Sequence, residues 1–152
     1  QQRQIAEAER LERELDARTV DRVRLGEQQP EIDHNLRFEN SQTGGGAQGK
    51  RWRDARDGGW FSYELKLPPA RSQVAMHILY WGRDDGREFD IQVDGTVIAT
   101  AKLRGGKDDY YGVEYPIANS LLAGREKVTV RFQAKPGKSA GSVCEMRLVT
   151  VR

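Results

Sequence analysis

Residues 87–103 read REFDIQVDGTVIATAKL, and this stretch decides the fold class. Phe89, Ile91 and Val93 alternate with polar residues up to an Asp-Gly pair at 94–95, and a second alternating run follows that pair. Asp-Gly between two alternating runs is typical of a two-residue hairpin, because both central positions need a positive φ that these residues tolerate. The stretch therefore predicts two adjacent antiparallel strands, each with one apolar face.

Further segments carry strand patterns of their own. WFSYELKL, at 60–67, alternates apolar and polar side chains and ends at a Pro-Pro pair. QVAMHILYW, at 73–81, is apolar on both faces, which is typical of a strand buried on both sides. KVTVRFQA at 127–134 and SVCEMRLVTV at 142–151 supply the last two strands. Many short strands separated by turn signals, with no helical pattern between them, indicate an all-β, antiparallel β-sandwich.

The region before these strands is less regular. TVDRVRL, at 19–25, alternates weakly until a glycine interrupts it, and HNLRFEN, at 34–40, is a short strand candidate. SQTGGGAQGK, at 41–50, predicts a Gly-rich surface loop. It does not match a phosphate-binding loop, because no helix pattern follows it.

The polar segment GEQQPEIDHN, at 26–35, separates two of these strand candidates. Its side chains are expected to hydrogen-bond backbone groups at one end of the sandwich. The alternative is that Glu27, Gln28 and Asp33 face the active site of a partner domain.

The first 17 residues differ in character from the rest. They are rich in Glu, Arg, Gln and Ala, and Ile5, Ala8, Leu11 and Leu15 fall close to one helical stripe. The pattern predicts an amphipathic linker helix over 1–17 and a β-sandwich module over 18–152. A link to an upstream domain is favoured over a coiled-coil partner, since two short heptads are too few for a coiled coil.

Composition excludes several classes of function. Lys and Arg total 25 and Asp and Glu 23, and Arg alternates with Asp in WRDARD and GRDDGR, so no basic face suits nucleic acid. The single cysteine, Cys144, excludes an internal disulfide and a multi-cysteine zinc site. No apolar run approaches the roughly 20 residues of a membrane helix.

The residues that could support catalysis are sparse. His34 begins a strand candidate, and His77 lies inside the most apolar strand, where a hydrogen-bonded structural role is expected. Cys144 alternates in phase with Met146 and Leu148, which predicts a small core residue and not a reactive thiol. The sequence therefore predicts that this chain by itself is not an enzyme.

Long stretches of the chain resemble a known module. RTVDRVRLGEQQPEIDHNLRFENSQTG and GKRWRDARDGGWFSYELKL, followed by YWGRDDGREFDIQVDG and SAGSVCEMRLV, resemble the C-terminal β-sandwich module of bacterial β-L-arabinofuranosidase-like glycoside hydrolases. The resemblance runs from Ala17 to the end of the chain. The matching positions in its first half are Asp21, Gly26, Glu27, Gln28, Gln29, Pro30, Glu31, His34, Asn35, Glu39, Asn40, Ser41, Gly44, Trp52, Arg53, Gly59, Trp60, Phe61 and Tyr63.

A second, looser resemblance is to galactose-binding-like carbohydrate-binding modules, carried by an aromatic strand, a hairpin bearing VDG and a late strand after LLAGREKVTVRF. It implies a jelly-roll sandwich that often holds a structural calcium and sometimes a sugar in its loops. The resemblance assigns the calcium carboxylate to Glu39, and Glu145 in the last strand could supply a second carboxylate. No other cofactor is expected.

The first resemblance also implies a setting for the module. Arabinofuranosidase-like hydrolases carry their chemistry, a cysteine nucleophile at a zinc centre, on a separate helical barrel domain. With one cysteine this chain lacks that active site, so the resemblance implies a non-catalytic accessory module, secreted or periplasmic, that packs on an upstream catalytic domain.

The alternative is a carbohydrate-binding module that binds plant-type or microbial polysaccharide through loop aromatics. Aromatic faces stack on sugar rings while polar groups at the edge bind hydroxyls. Aromatic and charged residues interleave in or beside the predicted loops, and Trp52 to Asp54 are taken as a loop before the Gly-Gly pair. The predicted ligand-binding residues are Trp52, Arg53, Asp54, Trp81, Asp84, Tyr110 and Tyr111.

Overall fold

The computed structural model describes residues 2–69 and 72–151. One long helix precedes the strands, and a short helix lies between the first two. Within the described residues the elements are α1 (Gln2–Arg18), β1 (Thr19–Arg24), α2 (Gln28–Asp33), β2 (Arg37–Gly45), β3 (Arg51–Lys66), β4 (Val74–Trp81), β5 (Asp85–Val93), β6 (Thr96–Arg104), β7 (Tyr110–Ile117), β8 (Lys127–Ala134) and β9 (Ala140–Thr150).

The strands form an antiparallel β-sandwich, which confirms the predicted fold class. They pair in the order β6-β5-β8-β3-β9-β4-β7, with β1 added beside β9 and β2 beside β3. β9 lies against β5 and β8, and β6 against β7, without sharing a ladder. Because these strands touch without pairing, they mark where the two layers of the sandwich pack against each other.

β3 belongs to both layers, and the Gly-Gly pair lies where it crosses between them. Its first part pairs with β9 around Arg53, and its second part, from Trp60 onward, pairs with β8. Gly58 has φ +76°, and a Cβ on Gly59 would approach the carbonyl oxygen of Glu39 to 2.6 Å. Only glycine fits such a crowded bend, so the pair serves the fold.

The core lies between the layers, as the alternating patterns predict. The inward residues of β3, Phe61, Tyr63 and Leu65, are at most 1% exposed. The ring of Phe61 stacks on that of Phe132 in β8, with centroids 4.9 Å apart. The aromatic content of WFSYELKL therefore needs no ligand to explain it.

The hairpin is the element that the sequence predicts most closely. β5 ends at Val93 and β6 begins at Thr96, and the turn residues Asp94 and Gly95 have φ of +47° and +87°. The Asp94 carboxylate also accepts the backbone N–H of Thr129 at 2.8 Å. This bond ties the turn to β8.

Cys144 is buried, but not in the predicted phase. The pairing of β4 with β9 shifts between Leu79–Glu145 and Tyr80–Val143, so that Val143 joins the core cluster where alternation would have placed Cys144. A bulge of this kind reverses the faces on either side of it. Burial raises the pKa of the Cys144 thiol to about 12, which agrees with an inert side chain.

Two segments before β3 differ from their predictions. GEQQPEIDHN, for which no helix or strand was predicted, contains a short helix, α2, whose Glu31 is buried. β2 continues through SQTGG to Gly45, where a Gly-rich loop was expected. β2 persists because its partner β3 supplies backbone hydrogen bonds from Arg51 onward, overriding the low strand propensity of glycine.

α1 lies on the outside of the sandwich and has no buried residue. Ile5 and Leu11, two members of the predicted stripe, are more than half exposed. Polar bonds near its C-terminal end fasten the helix to the last strand, as the Arg147 side chain donates to Glu12 and Asp16. No helix among the described residues has the length and apolarity to cross a bilayer.

Candidate functional site

The first half of β3 divides its side chains between two faces. Trp52, Asp54 and Arg56 line a cleft at the end of the sandwich, whereas Arg53 turns to the opposite face. This is the period-two alternation of any strand. Trp52 to Asp54 were expected to form one loop group, and the strand separates them.

The aromatic wall of the cleft comes from two paired strands. Trp81 ends β4 and Tyr110 begins β7, and the two residues are direct partners in the ladder. Their ring centroids are 4.7 Å apart, with the planes at 52°. The Tyr110 hydroxyl donates to the carbonyl oxygen of Ala47 at 2.6 Å, which fixes the ring against the turn after β2.

The Gly-rich run before β3 provides room for these rings. Gly44 is the ladder partner of Trp52, and a Cβ there would approach the indole to 2.4 Å. A Cβ on Gly46 would lie 3.1 Å from the Tyr110 hydroxyl oxygen. The Trp52 indole N–H donates to the carbonyl oxygen of Gly45 at 3.3 Å. The glycines therefore seat two aromatic side chains of the cleft.

The polar part of the cleft carries two carboxylates and two guanidiniums. Asp84 accepts the backbone N–H of Ser142 at 2.7 Å. Arg87 lies between the two acids, 3.6 Å from Asp54 and 3.7 Å from Asp84, and Arg56 is 3.6 Å from Asp54. These separations allow charge attraction but exceed hydrogen-bonding distance. The four charges cancel, and the groups retain hydrogen-bonding capacity.

The cleft encloses about 330 Å³. It combines aromatic faces with donors and acceptors at one end, the combination that suits a sugar ring with its hydroxyls. A second cleft of about 300 Å³ lies at the opposite end of the sandwich, beside Leu67, Pro68 and Leu122. Its described lining contains no aromatic ring, so the first cleft is the stronger candidate.

The structure brings five of the seven predicted ligand-binding residues together. Those that line the cleft are Trp52, Asp54, Trp81, Asp84 and Tyr110. Sequence reasoning missed Arg56, Arg87 and Ser142. Arg56 could have been found by alternation from Trp52 and Asp54, whereas Ser142 enters through the position of β9, for which the sequence carries no local signal.

Arg53 and Tyr111 lie elsewhere. Arg53 forms a buried, two-pronged ion pair with Glu31, with Nε 2.8 Å and a terminal nitrogen 3.0 Å from the carboxylate oxygens. The Tyr63 hydroxyl donates to the same carboxylate. Tyr111 packs towards the core, 5.7 Å from the ring of Tyr80. Both were expected in the ligand site because it was read as loops, and strand alternation turns both away from the cleft.

The two carboxylates assigned to calcium each bind other groups. Glu39 accepts the indole N–H of Trp60 at 3.3 Å. Glu145 is surrounded by cations instead, with Arg22 and Arg147 each 2.9 Å and Arg24 3.7 Å away. Across residues 2–69 and 72–151, no group of three or more His, Cys, Asp or Glu could hold a metal ion. Glu39 and Glu145 therefore do not fit calcium, which needs about six oxygen ligands.

The histidines lie outside the cleft. His34 contacts the carbonyl oxygen of Pro30 at 2.7 Å and the carboxylate of Asp21 at 2.9 Å. His77 is half-buried against Gly112, and burial lowers the pKa of its imidazole. Neither imidazole lies among the residues that line the cleft.

A family of unknown function, DUF6805, matches residues 14–149 of the chain. The chain belongs to this family. The match covers the end of α1 and every strand of the sandwich as far as Val149. No curated protein sequence matches the DUF6805 chain.

Three solved structures similar to the DUF6805 chain are carbohydrate-binding modules. A family 35 module from Clostridium thermocellum has a TM-score of 0.58 at 12% identity, covering 77% of this chain and 93% of that one. The C-terminal family 6 module of a Zobellia galactanivorans laminarinase has a TM-score of 0.59 at 13% identity, with coverages of 85% and 98%. A Cellvibrio mixtus lichenase module in complex with cellotriose has a TM-score of 0.56 at 12% identity, with coverages of 88% and 99%. Identities this low establish the shared fold alone.

Proposed function

We propose that the DUF6805 chain is a carbohydrate-binding module that takes a sugar into the cleft between Trp52, Trp81 and Tyr110. The observation that carries the proposal is that these three rings meet the charge-balanced polar part of the cleft at one end of the sandwich. The fold supports it, since similar modules are described in complex with xylose and with cellotriose. The ring of a sugar would lie against an aromatic face while its hydroxyls reach Asp54, Asp84 and Arg87.

The chain's contribution to such a function is binding and not chemistry. Several similar modules come from polysaccharide-degrading enzymes, among them a laminarinase, a lichenase and a multidomain xylanase. We infer the same setting here, as a non-catalytic accessory module of a secreted glycoside hydrolase. The sequence resemblance to β-L-arabinofuranosidase-like hydrolases suggests the enzyme class, which stays a prediction.

Replacing Trp81 with Ala is expected to weaken sugar binding by about 30-fold, or about 2 kcal/mol, because a central aromatic contributes much of the energy of a small binding site. The measurement is calorimetric titration with neutral oligosaccharides, after a glycan array has identified a ligand. Trp60→Ala is the matched control. The Arg131 guanidinium lies 4.0 Å from the centroid of the Trp60 ring, and Trp60 does not line the cleft.

Two outcomes would contradict the proposal. One is the absence of heat and of array signal for every saccharide with the folded wild-type chain. The other is an equal loss of affinity in Trp60→Ala and Trp81→Ala, because binding would then depend on the sandwich as a whole and not on the cleft.

A second candidate function is docking against a catalytic domain, favoured by two exposed apolar side chains. Ile32 is 61% and Phe38 53% exposed. Ile32 follows Glu31 in α2, and the Phe38 ring centroid lies 4.9 Å from the Arg53 guanidinium, so both side chains adjoin the Glu31–Arg53 ion pair. If this surface binds a β-L-arabinofuranosidase-like catalytic domain, Ile32→Glu with Phe38→Glu should abolish the complex in sedimentation. Sugar titration should be unaffected, and complex formation by the double variant would exclude this surface.

A further inference from the structure

Asp54 carries a hydrogen-bond acceptor that the protein leaves unused. The residue is 1% exposed and lines the cleft, and its Oδ1 atom is buried without a hydrogen-bond partner. Its other oxygen, Oδ2, has Arg56 and Arg87 nearby, each at 3.6 Å. Buried carboxylate oxygens almost always accept a hydrogen bond, so an orphaned one beside a ligand-sized cleft points to a donor that arrives with the ligand. Because Oδ1 itself is closed to solvent, the donor reaches it when the carboxylate turns towards the cleft, and the long contacts of Oδ2 leave the group free to turn.

The chemistry of that donor is restricted. An ionised carboxylate only accepts hydrogen bonds, so the ligand must present an O–H or N–H to Asp54 Oδ1. A ligand carboxylate would meet it with a second negative charge, which is repulsive at close range. A sugar hydroxyl satisfies the requirement, because it donates through its hydrogen and accepts through its lone pairs.

Arg87 offers the complementary group. One of its terminal nitrogens lies 3.6 Å from Asp54, the other lies 3.7 Å from Asp84, and its contact with the carbonyl oxygen of Gly141 is a long 3.5 Å. The guanidinium therefore keeps donor directions that no protein acceptor uses at short range. Asp54 and Arg87 together form an adjacent acceptor and donor, which two neighbouring hydroxyls on one sugar ring can match.

The balance of charge selects against ionic sugars. Two carboxylates, Asp54 and Asp84, oppose two guanidiniums, Arg56 and Arg87. The polar part of the cleft therefore has no excess cation for a uronate and no excess anion for a protonated amino sugar. Lys50 lies outside the lining, with its ammonium 5.7 Å from the centre of the Tyr110 ring. It is the cation through which a uronate could bind instead.

We infer that the cleft selects neutral sugars, and that Asp54 determines this specificity by accepting a hydroxyl proton whose neighbouring hydroxyl accepts from Arg87. The inference rests on the proposed function and adds the class of ligand to it. Asp54 is assigned a binding role, with no part in any reaction.

The test is calorimetric titration of the chain with two sets of probes. The neutral set is cellotriose, xylotriose, arabinotriose and galactotriose, and the acidic set is glucuronic acid and digalacturonic acid. We expect wild type to bind a neutral probe and neither acidic one. Asp54→Asn should lose about tenfold or more in affinity, because a hydrogen bond to a charged acceptor is lost. Asp57→Asn is the matched control, since it makes the same change on the same strand at an exposed residue outside the cleft.

The outcomes separate this inference from the proposed function. Tighter binding of an acidic probe overturns the neutral-sugar inference and leaves sugar binding standing, and its loss in Lys50→Met assigns it to Lys50. An Asp54→Asn variant that binds like wild type also overturns the inference and leaves sugar binding standing. No heat with any of these probes overturns the neutral-sugar inference, and the proposed function falls as well only if the glycan array also gives no signal. If Asp54→Asn does not fold, monodeoxy analogues of the bound sugar replace it, and retained affinity at every deoxygenated position overturns the inference.

Discussion

Replacing Glu31 with Ala is expected to lower the free energy of unfolding by about 3–5 kcal/mol, the usual cost of leaving one partner of a buried ion pair uncompensated. Glu31 is 5% and Arg53 6% exposed. The carboxylate takes two hydrogen bonds from Arg53 and one from Tyr63. Without it, a buried guanidinium and a buried phenol each lose an acceptor. Urea unfolding followed by tryptophan fluorescence measures the change.

The matched control is a surface ion pair with the same shortest distance. Arg83 and Asp108 are 2.8 Å apart, but their side chains are 64% and 71% exposed. Asp108→Ala is expected to change the unfolding free energy by less than about 1 kcal/mol, because solvent screens the pair. Similar costs for the two variants would mean that burial does not strengthen the Glu31 contacts.

The same ion pair predicts how stability depends on pH. Burial by itself would raise the pKa of the Glu31 carboxyl, but the hydrogen bonds from Arg53 and Tyr63 outweigh it and hold the pKa below its ordinary value. The stabilisation is therefore complete above the unfolded pKa, about 4.3. It is lost as the pH falls through the lower folded pKa. The stability difference between wild type and Glu31→Gln should shrink below about pH 4, and a difference independent of pH would contradict this assignment.

The sequence predicts the sandwich well because its strands follow local rules. The Asp94-Gly95 turn and the alternation of Phe61, Tyr63 and Leu65 need no information from distant residues, and both agree with the structure. The errors have distant causes. β2 continues through glycines because β3 pairs with it, and Cys144 leaves the core phase because β9 bulges opposite β4. Neither partner is visible from the segment itself.

The candidate site follows the same division. Trp81 and Tyr110 could be placed near each other because strand ends gather at the ends of a sandwich. The separation of Arg53 from Trp52 and Asp54 could not be foreseen while that segment was taken as a loop. Once it is a strand, alternation alone assigns Arg53 to the face of Glu31 and its neighbours to the cleft. The orphaned oxygen of Asp54 depends on three chain segments and has no sequence signal.

Replacing Arg147 with Met is expected to release α1 from the sandwich. Arg147 is 1% exposed, and its guanidinium donates to Asp16 at 2.6 Å and to Glu12 at 2.9 Å, while a third bond reaches Glu145. The bond from Arg147 also lowers the pKa of Asp16. Since α1 has no buried residue, these bonds carry much of its attachment. Methionine keeps most of the side-chain volume, so the change removes hydrogen bonds without opening a large cavity.

Trypsin measures the release directly, because α1 carries arginines that a docked helix protects. Cleavage within α1 should be about tenfold faster in Arg147→Met, the factor that corresponds to about 1.4 kcal/mol of lost docking energy. Glu7→Gln is the matched control, since Glu7 pairs with Arg10 inside the same exposed helix and its replacement removes no trypsin site. The sandwich itself should survive, because Glu145 keeps its bond from Arg22 at 2.9 Å. Equal cleavage rates in Arg147→Met and wild type would show that Arg18, which bonds the carbonyl oxygen of Thr150 at 2.8 Å, holds the helix instead.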